Sequence, residues 1–221
     1  MRNDRHLAIK LRKKGMSYNK IVEELGIPKS TMVYWFRDEN WSKEIKKRLN
    51  KKNNYIAKKR LRAYIIIRKK RLDSLYDQCR EQATKEFSSL KDNPLFIASL
   101  MLYWGEGDSK IKNCSIRLAN SDPKMIALFF QFLRKIVNIP EEKIKIQLIL
   151  YPDLNDDVCK KFWSEKTEIK ISQFIKSSYI QGKHPSKRLT YGIGIIYFAN
   201  RCFKEKLFVW MNLLQKEFGI Y

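Results

Sequence analysis

N-P-L-F-I-A-S-L-M-L-Y-W-G-E-G-D, running from Asn93 to Asp108, reads as one apolar helix that ends by presenting a carboxylate. Asn93 suits the N-cap, and Pro94 falls where a first-turn proline costs nothing. From Leu95 to Trp104 nearly every side chain is apolar, the pattern of a helix buried on more than one side. Gly105 and Gly107 are expected to break it, with Glu106 between them. A helix C-terminus already carries partial negative charge, so a glutamate there is disfavoured unless a cation lies beside it. A divalent metal is one such cation, since hard ions accept carboxylate and backbone carbonyl oxygens. The alternative is a solvated acid flanking a glycine cap.

The rest of the chain supplies the setting. Its 221 residues allow one sizeable domain and a small one, and a hydrophobic content of 44% suffices for a core. Lys and Arg number 46 against 23 Asp and Glu, a formal charge of +23. So positive a field predicts a polyanionic partner, nucleic acid first and an anionic membrane as the competitor. No apolar run approaches a membrane span and no signal peptide is visible, so a soluble, cytoplasmic, nucleoid-associated protein is expected, with no membrane partner. Nothing in the pattern points to a small-molecule substrate. Cys79, Cys114, Cys159 and Cys202 are scattered, with no C-x-x-C pair, and read as free thiols. With only His6 and His184, nuclease motifs built on several histidines are excluded.

Residues 1–38 read as three short helices. Asp4 to Lys14 places Leu7, Ala8 and Leu11 on one face, and Gly15 stops it. Ser17 caps a second helix carrying Ile21, Val22 and Leu25, which Gly26 closes. Pro28 then opens P-K-S-T-M-V-Y-W-F-R. This pattern resembles the helix-turn-helix of resolvases, invertases and small regulators. The resemblance implies that the third helix enters the major groove. Lys29, Ser30, Val33 and Tyr34 would then face base edges, Thr31 and Arg37 phosphates, and Ile27, Met32, Trp35 and Phe36 the module's core. A three-helix module that binds protein is the alternative.

Residues 39–92 form a basic helical linker. Between Pro28 and Pro94 there is neither Gly nor Pro, so nothing in residues 29–93 forces the backbone out of helix. From Glu39 to Leu72 there are 14 Lys or Arg against Glu39 and Glu44. One amphipathic helix fits, or two with a bend near Asn53 and Asn54. Its lysines either contact phosphates or are ordinary solvated side chains.

Beyond the apolar helix the periodicity alternates between strand and helix. Cys114 to Leu118 reads as a strand and Lys124 to Val137 as a helix after Asp122-Pro123. Lys143 to Leu150 reads as a strand with Ile144, Ile146, Leu148 and Leu150 inward, and Asp156 to Lys166 as a helix. Strands at Gln173 to Ile180 and Arg188 to Phe198 and a final helix from Cys202 to Phe218 complete residues 93–221. The fold class is therefore α+β: helical modules, then a four-stranded, mostly antiparallel sheet backed by helices. One sheet face collects Arg117, Lys143, Lys145, Gln147, Lys176, Arg188 and Thr190, either as a solvated face or as a surface for a DNA groove.

S-L-M-L-Y-W-G-E-G, Ser99 to Gly107, resembles the signature of the LAGLIDADG homing endonucleases, many of which end in G-E-G, and the element order over about residues 94–218 is similar to theirs. The resemblance implies that motif helices pack in pairs about a two-fold axis and that their terminal acids bind divalent metal and cut both DNA strands. Carried onto this chain, it makes Glu106 the metal-binding acid, with Gly105 beside it and Mg2+ or Mn2+ as the ion. Only one motif helix is visible, so a homodimer is implied, with Ala98, Met101, Leu102 and Gly105 at its interface. Met101 departs from the family, which has a small residue there; Ala98 and Gly105, seven apart, share a face instead. Lys110, Gln147 and Lys183 are candidate supporting groups in catalysis. Two functions follow: a site-specific, metal-dependent endonuclease, or a non-cleaving regulator like the WhiA-type transcription factors, whose modules come in the reverse order.

Overall fold

In the computed structural model, residues 4–111, 113–180 and 189–220 are described. They form two compact units, Met1–Arg71 and Leu72–Tyr221. The first contains α1 (Arg5–Lys13), α2 (Tyr18–Leu25), α3 (Lys29–Trp35) and the start of α4 (Asn40–Leu90). Ser17 caps α2 by accepting from the Lys20 N–H at 3.3 Å, and Gly26 closes it in the left-handed region at φ 62°. Ala8, Ile21, Ile27, Met32 and Phe36 are the buried core, as their spacing predicts. Leu7 is 41% exposed, a correction to its expected place on the inner face. Arg12 sits inside, donating to the hydroxyl and carbonyl of Ser42 at 3.2 and 3.1 Å and stacking 4.3 Å over Tyr18, so the start of α4 is clamped to α1.

The basic linker is one helix. α4 runs unbroken for 51 residues through Asn53 and Asn54, so the linker is one helix rather than two. Asparagine side chains on an exposed helix turn toward water and leave the backbone ladder intact.

The second unit adds α5 (Pro94–Glu106), β1 (Ser115–Asn120), α6 (Pro123–Lys135), β2 (Lys145–Leu150), α7 (Asp156–Thr167), β3 (Ser178–Tyr179), β4 (Ile193–Ala199) and α8 (Arg201–Glu217). The element order matches the expectation. The strands lie in the order β1-β4-β2-β3, with β4 antiparallel to β1 and β2 but β3 parallel to β2. The sheet is therefore mixed, mostly antiparallel as expected, with one parallel pair at the β3 edge. β3 is only two residues long, because the chain from Ile171 to Gln173 makes a 3-10 turn instead of the strand expected from Gln173. Ile116, Leu118, Ile144, Ile146, Leu148, Leu150, Ile196 and Phe198 turn inward and pack with Phe96, Leu100, Tyr103, Phe129, Phe132, Trp163, Phe203 and Trp210. Close approach of α7 explains one glycine: a Cβ on Gly194 would lie 2.6 Å from the Trp163 ring.

The C-terminal end of α4 belongs to this core. Trp210 donates to the Ala83 carbonyl at 3.0 Å, Lys206 pairs with Glu86 at 2.8 Å, and buried Glu205 takes Arg80 at 2.8 Å and Arg201 at 2.7 Å. Cys79 and Cys202, 123 residues apart, form a disulfide in this seam, which overturns the reading of all four cysteines as free thiols. Their pairing depends on α4 and α8 lying side by side, which cysteine spacing cannot reveal. Cys114 and Cys159 are free. Among the described residues no helix is long and apolar enough to cross a membrane.

Candidate nucleic-acid interface

α5 is set by its caps and by one greasy face. Asn93 accepts from the Phe96 N–H at 3.1 Å, and Pro94 opens the first turn. Phe96, Ser99, Leu100 and Tyr103 face the core. Contrary to the expectation of burial on more than one side, Ala98 and Gly105 on the opposite face are exposed, Met101 and Leu102 are half-buried, and Trp104 is 51% exposed. The residues expected at a dimer interface thus form a stripe that is only partly covered: Met101 and Leu102 pack half-buried against the core, while Ala98 and Gly105 are open. A Cβ at Gly105 would meet nothing within 4 Å.

The helix continues through Gly105 and ends at Glu106; Gly105 does not break it, since a single glycine weakens a helix without stopping it. The stop is Gly107, whose extended conformation turns the chain into an isolated bridge with Leu118. Glu106 stands exposed at this exit, with no hydrogen bond or ion pair among the described residues. Around it Gly107, Asp108, Lys110, Asn113, Arg117, Ala119 and Ile195 line an open concavity of ≈ 400 Å³. Lys110 therefore lies beside Glu106 as expected. Gln147 does not line this hollow; it bonds Ser178 at 2.9 Å.

Asp108 is the residue that sequence reasoning passed over. Its carboxylate accepts from the Lys110 N–H at 2.9 Å, an Asx turn, and from Asn113 at 3.3 Å. Lys204, with no exposed side-chain surface, lies 3.5 Å from it and donates to the Ser115 carbonyl at 2.9 Å. The Lys110 amide, then Asn113 and Lys204, hold the Asp108 carboxyl below its usual range, and burial pushes the Lys204 ammonium down. Tyr103 donates to the Asp108 carbonyl at 3.1 Å, and burial pushes its phenol well up, so it stays a donor. The D-S-K turn chemistry was legible in the sequence; the buried lysine beneath it was not. Asp108 is thus an anion already satisfied, and Glu106 one that is not.

On the open sheet face, Arg117, Tyr197 and Lys145 form one cross-strand row, and Ala119, Ile195 and Gln147 the next. Arg117, Lys145 and Gln147 are therefore brought together as expected. Lys143 is not on a strand but in the 3-10 turn Glu141–Lys143, because β2 begins only at Lys145. Lys176 is exposed ahead of β3, its carbonyl facing Gln147 at 3.4 Å, and Thr190 lies in the turn before β4. Both fall outside the strands expected for them, since β3 and β4 are shorter. Lys183 and Arg188 lie outside the described residues.

In the first unit, Lys29, Ser30, Val33, Tyr34 and Arg37 are exposed, Tyr34 at 78%, and Thr31 is half-buried. The face proposed for base edges is thus open. A groove of ≈ 330 Å³ runs beside it, bordered by Ser17, Asn19, Lys29, Val33, Lys46 and Asn50.

Among the described residues no group of three or more His, Cys, Asp or Glu side chains converges as a metal cage. One chain offers a hard ion only Glu106, neighbouring carbonyls and water; Asp108 is already tied to Lys204. A divalent ion fits here only if a second Glu106 is brought up. Comparison with known protein families, with curated proteins and with solved structures found no match.

Proposed function

We propose that the protein binds double-stranded DNA as a homodimer and hydrolyses it at a specific site through paired copies of Glu106. The observation that carries this reading is the partly covered stripe Ala98, Met101, Leu102 and Gly105 on α5, open at Ala98 and Gly105, which leads to an exposed Glu106 with no partner among the described residues. Water penalises such a stripe at about 25 cal/mol per Å² of apolar surface, a cost that a second copy of the same helix relieves. Small residues at Ala98 and Gly105 let two backbones approach closely. Two-fold pairing about this face sets the two carboxylates near each other, and like charges at close range call for a cation.

Mg2+ or Mn2+ held by the paired Glu106 side chains would supply positive charge to the scissile phosphate and a water of lowered pKa. The chain's own groups do the rest. Lys110 and Arg117 border the same hollow and offer positive charge to a phosphate. Lys204 keeps Asp108 ionised yet neutralised, which fixes the turn after Glu106 without adding net negative charge. Arg117, Lys145 and Gln147 line the sheet face, and the exposed side of α3 offers Lys29, Ser30, Val33, Tyr34 and Arg37 to a groove.

That no second acid converges on Glu106 among the described residues of one chain favours a second reading, a non-cleaving DNA-binding regulator. Incubation of the full chain with a randomised plasmid library and Mg2+ or Mn2+ separates the two. Discrete double-strand cuts that disappear in Glu106→Gln, with binding retained, support the nuclease. Binding without cutting in both proteins selects the regulator, and no binding by either sinks both.

A further inference from the structure

The exposed middle of α4 carries a charge arrangement that neither helix stability nor packing explains. From Lys43 to Arg71 there are 14 Lys or Arg and one acid, Glu44, a net +13 of the chain's +23. Every residue from Asn50 to Arg71 is exposed. None of these 14 cations forms an ion pair among the described residues. The same helix behaves differently where it packs. There Arg80 meets Asp77 and Glu205, Gln82 meets Glu86, and Glu86 meets Lys206.

At about 100° of rotation per residue, nine of the 14 cations fall within an arc of about 140°. They make two adjoining columns: Lys47, Lys51, Lys58, Arg62 and Lys69 in one, Arg48, Lys52, Lys59 and Lys70 in the other. From Lys47 to Lys69 the stripe is about 33 Å long, close to one turn of duplex. Like charges at i and i+4, as at Lys47 and Lys51, Arg48 and Lys52, and Lys58 and Arg62, weaken an isolated helix by about 0.2–0.5 kcal/mol per pair. Retaining such pairs with no acids interleaved is what a polyanion on that face would relieve.

We propose that this stripe is a phosphate-contacting surface of its own, a basic helix laid along the backbone of double-stranded DNA. The proposal rests on the DNA-binding reading above and extends it to a contact that carries no sequence information. A duplex suits the stripe better than a single strand, because Tyr55 is the one aromatic among its cations and strand-tracking sites stack successive bases. An interfacial membrane helix needs a broad apolar face. The apolar residues of this one make a thin line beside the stripe, Ile45, Leu49, Ile56, Ala63 and Ile67, whose first two residues are half-buried in the first unit, and exposed Leu61, Tyr64, Ile65 and Ile66 are scattered around the helix among its cations.

The test measures affinity of the full chain for a random-sequence duplex over a series of KCl concentrations. One variant combines Lys51→Gln, Lys58→Gln, Arg62→Gln and Lys69→Gln. Its control combines Lys43→Gln, Arg60→Gln, Arg68→Gln and Arg71→Gln, which removes the same charge from outside the arc. The stripe variant is expected to lower the log-log salt slope by about 3.6, at about 0.9 per lost contact. The control is expected to leave the slope near wild type, and helicity by circular dichroism to be equal in all three. Equal slopes in both variants overturn the proposal while leaving DNA binding intact. Stripe-dependent binding to phosphatidylserine vesicles or to duplex RNA in preference to DNA also overturns it. Failure of the wild type to bind any duplex sinks the DNA-binding reading itself.

Discussion

Gly107 stands where a side chain has no room, and the residues after it inherit their positions from that fact. A Cβ there would lie 2.4 Å from the Tyr103 carbonyl oxygen and 2.6 Å from its ring. Gly107→Ala must push the turn away from α5, displacing Asp108 and the bridge to Leu118. Urea denaturation is expected to show a loss of about 1–3 kcal/mol, the usual cost of overpacking. Asp108→Asn acts on charge instead. Because the native state holds this carboxyl below its unfolded range, the stability it contributes is present above about pH 4 and is lost as pH falls through the native pKa. Lys204 runs the other way. Burial depresses its pKa, so the penalty of its charged form is full below the native pKa and lifts as pH rises through it toward the unfolded lysine value. In acid titrations the wild type is therefore expected to lose stability more steeply below about pH 4 than Asp108→Asn. Equal slopes would show that the Asp108 interactions contribute nothing.

Among the elements, α4 and α8 are tied together by side chains far apart in sequence. Trp210 to Ala83, Glu205 to Arg80 and the Cys79–Cys202 disulfide lie along one seam. A crosslink closing so long a loop restricts the unfolded chain strongly, so Cys202→Ser is expected to cost about 2–5 kcal/mol with the folded spectrum unchanged. Thermal melts with and without reductant check this: the wild type should fall to the variant's melting temperature on reduction, and the variant should not shift. Glu205→Ala removes the buried acceptor shared by Arg201 and Arg80, with Arg80 still paired to Asp77, and is expected to cost about 1–3 kcal/mol. This scale also shows what local pattern can and cannot reveal. Asn93 before Pro94, Ser17 before Tyr18 and the alternation from Ile144 to Leu150 each name their element, because caps and periods are local. The Cys79–Cys202 pair and the Lys204–Asp108 contact join distant segments, and no spacing rule reaches them. β3 is shorter than expected for a different reason: Gln173 turns inward in a 3-10 turn and donates to the Glu141 and Ile144 carbonyls, and only Ser178 and Tyr179 form the strand.

For the whole molecule, the decisive surface is the one α5 leaves open. Apolar content told of a helix wanting cover on more than one side, and a single chain covers the face of Phe96, Leu100 and Tyr103 fully, Met101 and Leu102 by half, and leaves Ala98, Trp104 and Gly105 exposed. That mismatch between pattern and burial is the strongest reason to add a second copy. Ala98→Arg places a charge on the stripe without touching the core. Sedimentation is expected to show a folded monomer for this variant and a dimer for the wild type; a wild-type monomer at every concentration would leave Glu106 without a mate. The central claim meets its most direct test in selection of bound duplexes from a randomised pool by the full chain, followed by the stoichiometry of the recovered complex. Palindromic duplexes carrying two chains each are the predicted result. Recovery of no preferred sequence, or of asymmetric sites holding one chain, would contradict it.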